Sequence, residues 1–288
     1  MRARLVCPDS PALFERLHGQ ALVVRVRDAA AIAGAAGRAR ASDNELVCVL
    51  CDSPEPLDEL SPDDGWDGAP VALFVPALGR LRDLLPWLPR LREPHARVYV
   101  PAGGPDNLTG VRILASLGVA CGLTFGDRPP PWEPLADLMS YALLGPVPHA
   151  PIEPFAHLAE AYDPAGVTDW RRTVFADPRH YLHLDADGRV ALTSADLQAR
   201  IFVLDDPGAL DGIERHPAFV AAEHAWRRLF LAYHPCSRCP GWRVCRGAFA
   251  ASAERDPGCA AFCAELMDVV DQRRAARAAP EEPQPWRP

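Results

Sequence analysis

Short apolar runs recur along the first half of the chain, at Ala21–Val26, Leu46–Cys51, Val71–Val75, Arg97–Val100 and Val119–Phe125. Each has the length of a strand buried on both faces. Between them, apolar positions at helical spacing predict helices over Ala29–Ala41, Leu78–Leu91 and Leu108–Leu117. Apolar strands alternating with helices of this length point to an α/β fold built of parallel βαβ units. Three consecutive prolines within Gly126–Trp132 interrupt the alternation. Trp132–Leu144 then reads as an amphipathic helix, Pro146–Pro154 as a proline-rich connection and Phe155–Tyr162 as a short helix. The pattern changes at His180–Thr193, where two alternating runs flank Asp187-Gly188, the signature of a β-hairpin turn. His216–Tyr233 predicts one long helix, with Trp226, Phe230 and Tyr233 as a core stripe. Ala275–Pro288 has no periodicity and predicts a disordered tail.

Composition narrows the function classes. With 288 residues, 49% hydrophobic and 24% charged, the chain can bury a large core. A formal net charge of −8 argues against a general nucleic-acid surface. All 30 basic residues are arginine, so a Schiff-base lysine, a phosphate-loop lysine and a lysine base are excluded. No run of about 20 apolar residues is present, and Met1–Arg16 lacks a hydrophobic signal core, so a cytoplasmic protein is expected, with no membrane span. In that compartment thiols stay reduced, and clustered cysteines read as metal ligands.

Five of the nine cysteines fall between positions 236 and 263, spaced Cys236-x2-Cys239-x5-Cys245-x13-Cys259-x3-Cys263. A two-residue gap lets two thiolates reach one metal centre from a tight turn, with the others arriving from the far end of the loop. Spacing alone leaves iron–sulfur and zinc both open. Gly241, Gly247 and Gly258 allow close approach of backbone amides to sulfur. The other candidates carry less. Cys48 and Cys51 point to opposite faces of a strand and read as core thiols, as do the lone Cys7 and Cys121. Gly103-Gly104-Pro105-Asp106-Asn107 reads as a tight turn with a helix cap. His149, His180, His183 and His234 read as surface or hydrogen-bonded histidines.

Cys-x2-Cys-x5-Cys followed by Arg246-Gly247, and then Asp256-Pro257-Gly258-Cys259, resembles the C-terminal half of a SPASM domain. That domain carries auxiliary iron–sulfur clusters in radical S-adenosylmethionine enzymes that modify peptides, and the pyrroloquinoline quinone peptide maturases are similar in style. The Asp185-Ala-Asp-Gly hairpin, Leu210–Arg215 and His216-Pro-x-Phe fit the usual approach to that motif. The resemblance covers about residues 177–264. It implies Cys236, Cys239, Cys245 and Cys259 as ligands of one 4Fe-4S cluster, with Cys263, one helical turn beyond, as alternate ligand. Leu192, Thr193, Ser194 and Phe249 stand where a second auxiliary cluster needs cysteines. No Cys-x3-Cys-x2-Cys occurs anywhere, so no S-adenosylmethionine cluster and no autonomous radical activity are expected.

The expected organisation is a partial (β/α) barrel-like domain over 1–150, a linker with short helices over 151–179, a SPASM-like iron–sulfur domain over 180–274, and a tail over 275–288. The expected function is accessory: a degenerate radical-type protein in ribosomal peptide or peptide-cofactor maturation, with a complete radical S-adenosylmethionine enzyme, a precursor peptide, or both as partners. The alternative is a small-molecule enzyme or peptide-binding module in which the four cysteines hold structural Zn2+.

Overall fold

The computed structural model describes residues 3–60, 66, 68–93, 95–126, 129–250, 256 and 258–278. Nine strands form one open, mostly parallel sheet in the order β7-β6-β5-β4-β3-β2-β1-β8-β9. They are β1 Arg4–Pro8, β2 Ala21–Val26, β3 Glu45–Asp52, β4 Val71–Phe74, β5 Ala96–Pro101, β6 Cys121–Thr124, β7 Ile152–Glu153, β8 Tyr181–Leu184 and β9 Val190–Ala191. Strands β1 to β7 are each parallel to the next in sequence. The hairpin joins the same sheet, because β8 runs parallel to β1 and only β9 is antiparallel. Residue 150 therefore lies between two strands of one sheet.

The central strands are apolar on both faces because both faces are covered. One face packs against the helices and carries most of the core, including Cys7, Val24, Cys51, Leu73, Val98 and Cys121. The other carries a smaller cluster of Val6, Val23, Cys48, Leu50, Ala72, Tyr99 and Tyr181. Cys48 and Cys51 thus lie on opposite faces, as their spacing requires. Burial pushes the thiols of Cys7, Cys48, Cys51 and Cys121 up to about 12, which keeps them as inert packing groups.

The second face is filled by the chain itself. Phe175 takes a left-handed backbone, φ 58°, and packs against Phe74, Tyr99 and Tyr181 at ring separations of 6.1, 6.5 and 5.1 Å. Such a conformation is costly for a bulky residue and persists where surrounding contacts over-determine it. Two hydrogen bonds help: Tyr99 Oη donates to Thr173 O at 2.8 Å, and His183 Nε2 lies 3.0 Å from Phe175 O. Buried Asp169 and Asp177 anchor the same segment through Arg171 and Arg179, at 2.6 and 2.8 Å. For Asp177, burial favours the neutral acid, but the hydrogen bonds and charge of Arg179 outweigh it and hold the carboxyl below its ordinary range.

Several elements differ from the sequence pattern. Over Leu78–Leu91 the chain forms a 3-10 helix, Leu81–Trp87, then one α-turn, Leu88–Leu91. Pro86 and Pro89 remove the amides a continuous helix needs. The long helix expected over His216–Tyr233 is two short ones, Pro217–Glu223 and Arg227–Leu231. Arg246 donates to Glu223 O at 2.7 Å, taking the carbonyl that Arg227 N–H would use; that amide bonds His224 O instead, at 2.9 Å. Trp226, Phe230 and Tyr233 are not a core stripe. Arg227–Leu231 buries no residue and Tyr233 is 85% exposed, while Trp226 and Phe230 pack on Trp242. The C-terminal helix, Gly258–Ala278, runs through residues 275–278, where a tail is expected; residues 279–288 lie outside the described ones.

His183 gives the fold a pH signature. Its Nε2–H serves Phe175 O, and buried Nδ1 has no partner, so the site suits only the neutral ring. Burial, aided by the charge of Arg25, pushes its pKa down to about 4. The unfolded chain protonates first, near 6.5, so folding stability is lost as pH falls from about 6.5 to about 4, by roughly 3 kcal/mol over the window. His157 and His180 are also lowered, by burial first, and act in the same direction. Urea midpoints at pH 7 and pH 4.5 should show this loss, and His183→Gln should flatten most of it.

Candidate metal centre

The cysteine loop starts from a short turn. Pro235–Arg238 forms a 3-10 helix whose entry is capped by His234, Nδ1 of which accepts from Cys236 N–H at 3.2 Å. One helical turn, Trp242–Cys245, follows and brings Cys245 N–H to Gly241 O at 2.8 Å. Arg246 and Gly247 then reverse the chain in left-handed conformations, φ 51° and 80°. Gly247 suits that backbone, and a Cβ there would also come within 2.4 Å of Leu229 Cδ1.

The other two thiols come from the C-terminal helix. Asp256 caps it by accepting from Gly258 N–H at 3.0 Å, and its second oxygen accepts from Trp132 Nε1–H at 2.5 Å. This carboxylate therefore fixes where the helix begins and ties it to the helix Trp132–Leu144. Phe262, Leu266, Met267 and Val270 bury the same face against Leu135, Leu138 and Met139. Trp170, Phe249 and Phe125 complete the seam, with Phe125 and Trp170 stacked at 4.9 Å. Cys259 and Cys263 emerge one turn apart, both buried.

All five thiols converge. Cys263 is hydrogen-bonded to the thiols of Cys239, Cys245 and Cys259, which pushes its own proton affinity up steeply. Gly241 packs on Cys263 so tightly that a Cβ would lie 2.8 Å from Cys263 Cβ and 3.1 Å from its sulfur. Cys239 is pulled down to about 6, first by its bond to Cys263 and then by the Gly241 amide, against burial. Cys245 is also lowered, first by Cys263, with the amides of Phe249, Gly247 and Ala248 on its sulfur. Cys236, half-exposed, is pushed up to about 11 by burial and then by three of the other four thiols, Cys245, Cys259 and Cys239. Among the described residues, no group of three or more His, Cys, Asp or Glu side chains is placed to hold a metal ion.

The histidines raised as candidates stand apart from this cluster, except His234. His149 Nδ1 meets Ala150 O, His180 pairs with Asp177, and His183 lies within the sheet. At Gly103–Asn107 the helix Pro105–Ser116 starts after Gly104, and Asn107 donates back to Pro101 O at 3.0 Å, so the segment is a turn and cap. The sequence reading missed the Asp169–Arg171 and Asp177–Arg179 pairs beside the loop. Asp-x-Arg occurs twice there, Asp169-Trp-Arg and Asp177-Pro-Arg, and is the signal that marks them. No helix of the described residues is long and apolar enough to cross a membrane. The chain matches no protein-family model, no curated protein and no solved structure.

Asp256→Ala should cost about 1–2 kcal/mol, from the lost cap and the stranded indole N–H. It should also speed alkylation of Cys259 and Cys263 in metal-free protein, read by mass spectrometry, while Cys7 and Cys121 stay protected.

Proposed function

We propose that this chain is an accessory, degenerate relative of the radical S-adenosylmethionine peptide maturases, carrying one 4Fe-4S cluster and working beside a complete radical enzyme on a ribosomally made peptide. The observation that carries this reading is the convergence of five thiols with backbone amides directed at two of the sulfurs. A purely sulfur donor set with amide hydrogen bonds fits an iron–sulfur cluster, whose potential such bonds tune. Repulsion among neighbouring thiolates is what a bound cation relieves, and it stands after burial among the causes that raise Cys236.

Cys239, Cys245 and Cys259 belong to either possible four-thiol set. The fourth ligand is Cys236 on the family pattern, or Cys263, on which the other three sulfurs converge. When bound, the cluster supplies one-electron transfer. The chain's residues do the rest: Trp242 and Phe249 limit water, Asp256 holds the helix bearing two ligands, and the Arg171 and Arg179 pairs fix the neighbouring segment. Two further features support the accessory role. Consecutive parallel strands follow the order a partial (β/α) barrel uses, and Phe175 fills the sheet face away from the helices. A structural zinc site in a small-molecule enzyme or peptide-binding module is the second reading. It is favoured by the continuity of Cys245, Cys259 and Cys263 with the main core.

Anaerobically reconstituted protein should be brown and hold about four iron and four sulfide per chain. Colourless protein with one zinc would refute the iron assignment. Cys245→Ser should lose the metal and Cys48→Ser, on the opposite side of the sheet from the helices, should keep it; equal loss in both would overturn the ligand set.

A further inference from the structure

In a parallel sheet, ligands characteristically bind beyond the carboxyl ends of the strands. Here a cleft of about 620 Å³ opens at the ends of β1, β2, β3 and β8, roofed by residues 197–202, which run from the end of the short helix Ser194–Gln198. That volume lies in the range of ordinary ligand sites. Four arginines and three aspartates line it, in a protein whose net charge is −8. The two signs are not evenly matched. Arg189 is committed, to Asp185 at 2.6 Å and Asp187 at 3.5 Å, and lies over the Phe202 ring at 4.2 Å. The lining therefore nets one positive charge, and among the described residues no ion pair holds Arg25, Arg27 or Arg200.

Arg25 is the key group. It stands half-buried at the end of β2, two residues from Arg27, and among the described residues no carboxylate lies within ion-pair distance of it. Burial pulls its pKa down; the charge of Asp52 opposes this, and the neighbouring charge of Arg27 adds to it. Arg200 reaches the rim from a left-handed turn, φ 57°, which also brings Phe202 to the cleft wall. Guanidinium groups that line one cleft outside any ion pair among the described residues, as Arg25 and Arg200 do, form a site for carboxylate or phosphate oxygens.

Asp52 decides between them. A phosphate dianion entering between Arg25 and Arg200 meets a carboxylate, whereas a peptide offers backbone N–H groups for Asp52 to accept as well as side-chain carboxylates for the arginines. We propose that this cleft binds a carboxylate-rich peptide segment, with Arg25, Arg27 and Arg200 taking its acidic side chains, Asp52 its backbone amides and Phe202 its apolar atoms. The inference extends the peptide partner proposed above, yet uses none of the thiols.

The test is fluorescence anisotropy of a short labelled glutamate-rich peptide and its glutamine counterpart with the full chain, both metal-free and reconstituted. The glutamate peptide should bind, weaken as salt rises, and bind equally to both forms of the protein. Arg25→Gln and Arg200→Gln should each weaken it about tenfold with unchanged thermal melting, whereas Arg82→Gln, an exposed arginine outside the cleft, should not. Equal binding of the two peptides, or wild-type affinity in Arg25→Gln, would overturn the proposal. So would inorganic phosphate that displaces the label as effectively as unlabelled glutamate peptide, since the cleft would then be a simple oxyanion site. Loss of metal with peptide binding intact would refute the cluster and leave this inference standing.

Discussion

The grouping of thiols in the C-terminal third depends on contact between Cys263 and Cys239, Cys245 and Cys259. That contact requires the helix Gly258–Ala278 to begin at one place and lie in one direction. Asp256 supplies both conditions, since one carboxylate oxygen caps the helix and the other holds Trp132. Gly241 adds a third condition, room for Cys263, because any side chain there would displace it. A burial force without direction would pack this helix in several registers. The two directed bonds and the close glycine contact select one.

The sheet presents its carboxyl edge to two different neighbourhoods. Near β6, the aromatic seam of Phe125, Trp170 and Phe249 carries the thiol loop. Near β1 and β2, the same edge opens into the arginine-lined cleft. Between them, Phe175 and its buried ion pairs occupy the face away from the helices. Burying such pairs is costly unless geometry and hydrogen bonding are good. Here Asp169 and Asp177 each accept from an arginine two residues on, in both backbone and side chain, so the segment is held by local bonds.

The strands β2 to β6 were legible because each is an apolar run buried on both faces, a pattern that survives any detail of packing. Strand β1 was not, since Pro8 and flanking arginines disguise an edge-like sequence that the hairpin later covers. Strand β7 is two residues inside a proline-rich connection, too short for periodicity to register. The broken helix at Glu223 was illegible for a different reason. Its cause is Arg246, more than twenty residues away, and no local propensity encodes it. The thiol spacing announced a cluster, but not that Cys263 sits among the other sulfurs, because that depends on how the C-terminal helix docks.

These sulfurs together are proposed to hold iron. X-ray absorption at the iron edge of anaerobically reconstituted protein tests it most directly. A first shell of sulfur alone, with iron–iron scattering behind it, is the result this account predicts. A shell of oxygen or nitrogen ligands, or iron without iron neighbours, would contradict it.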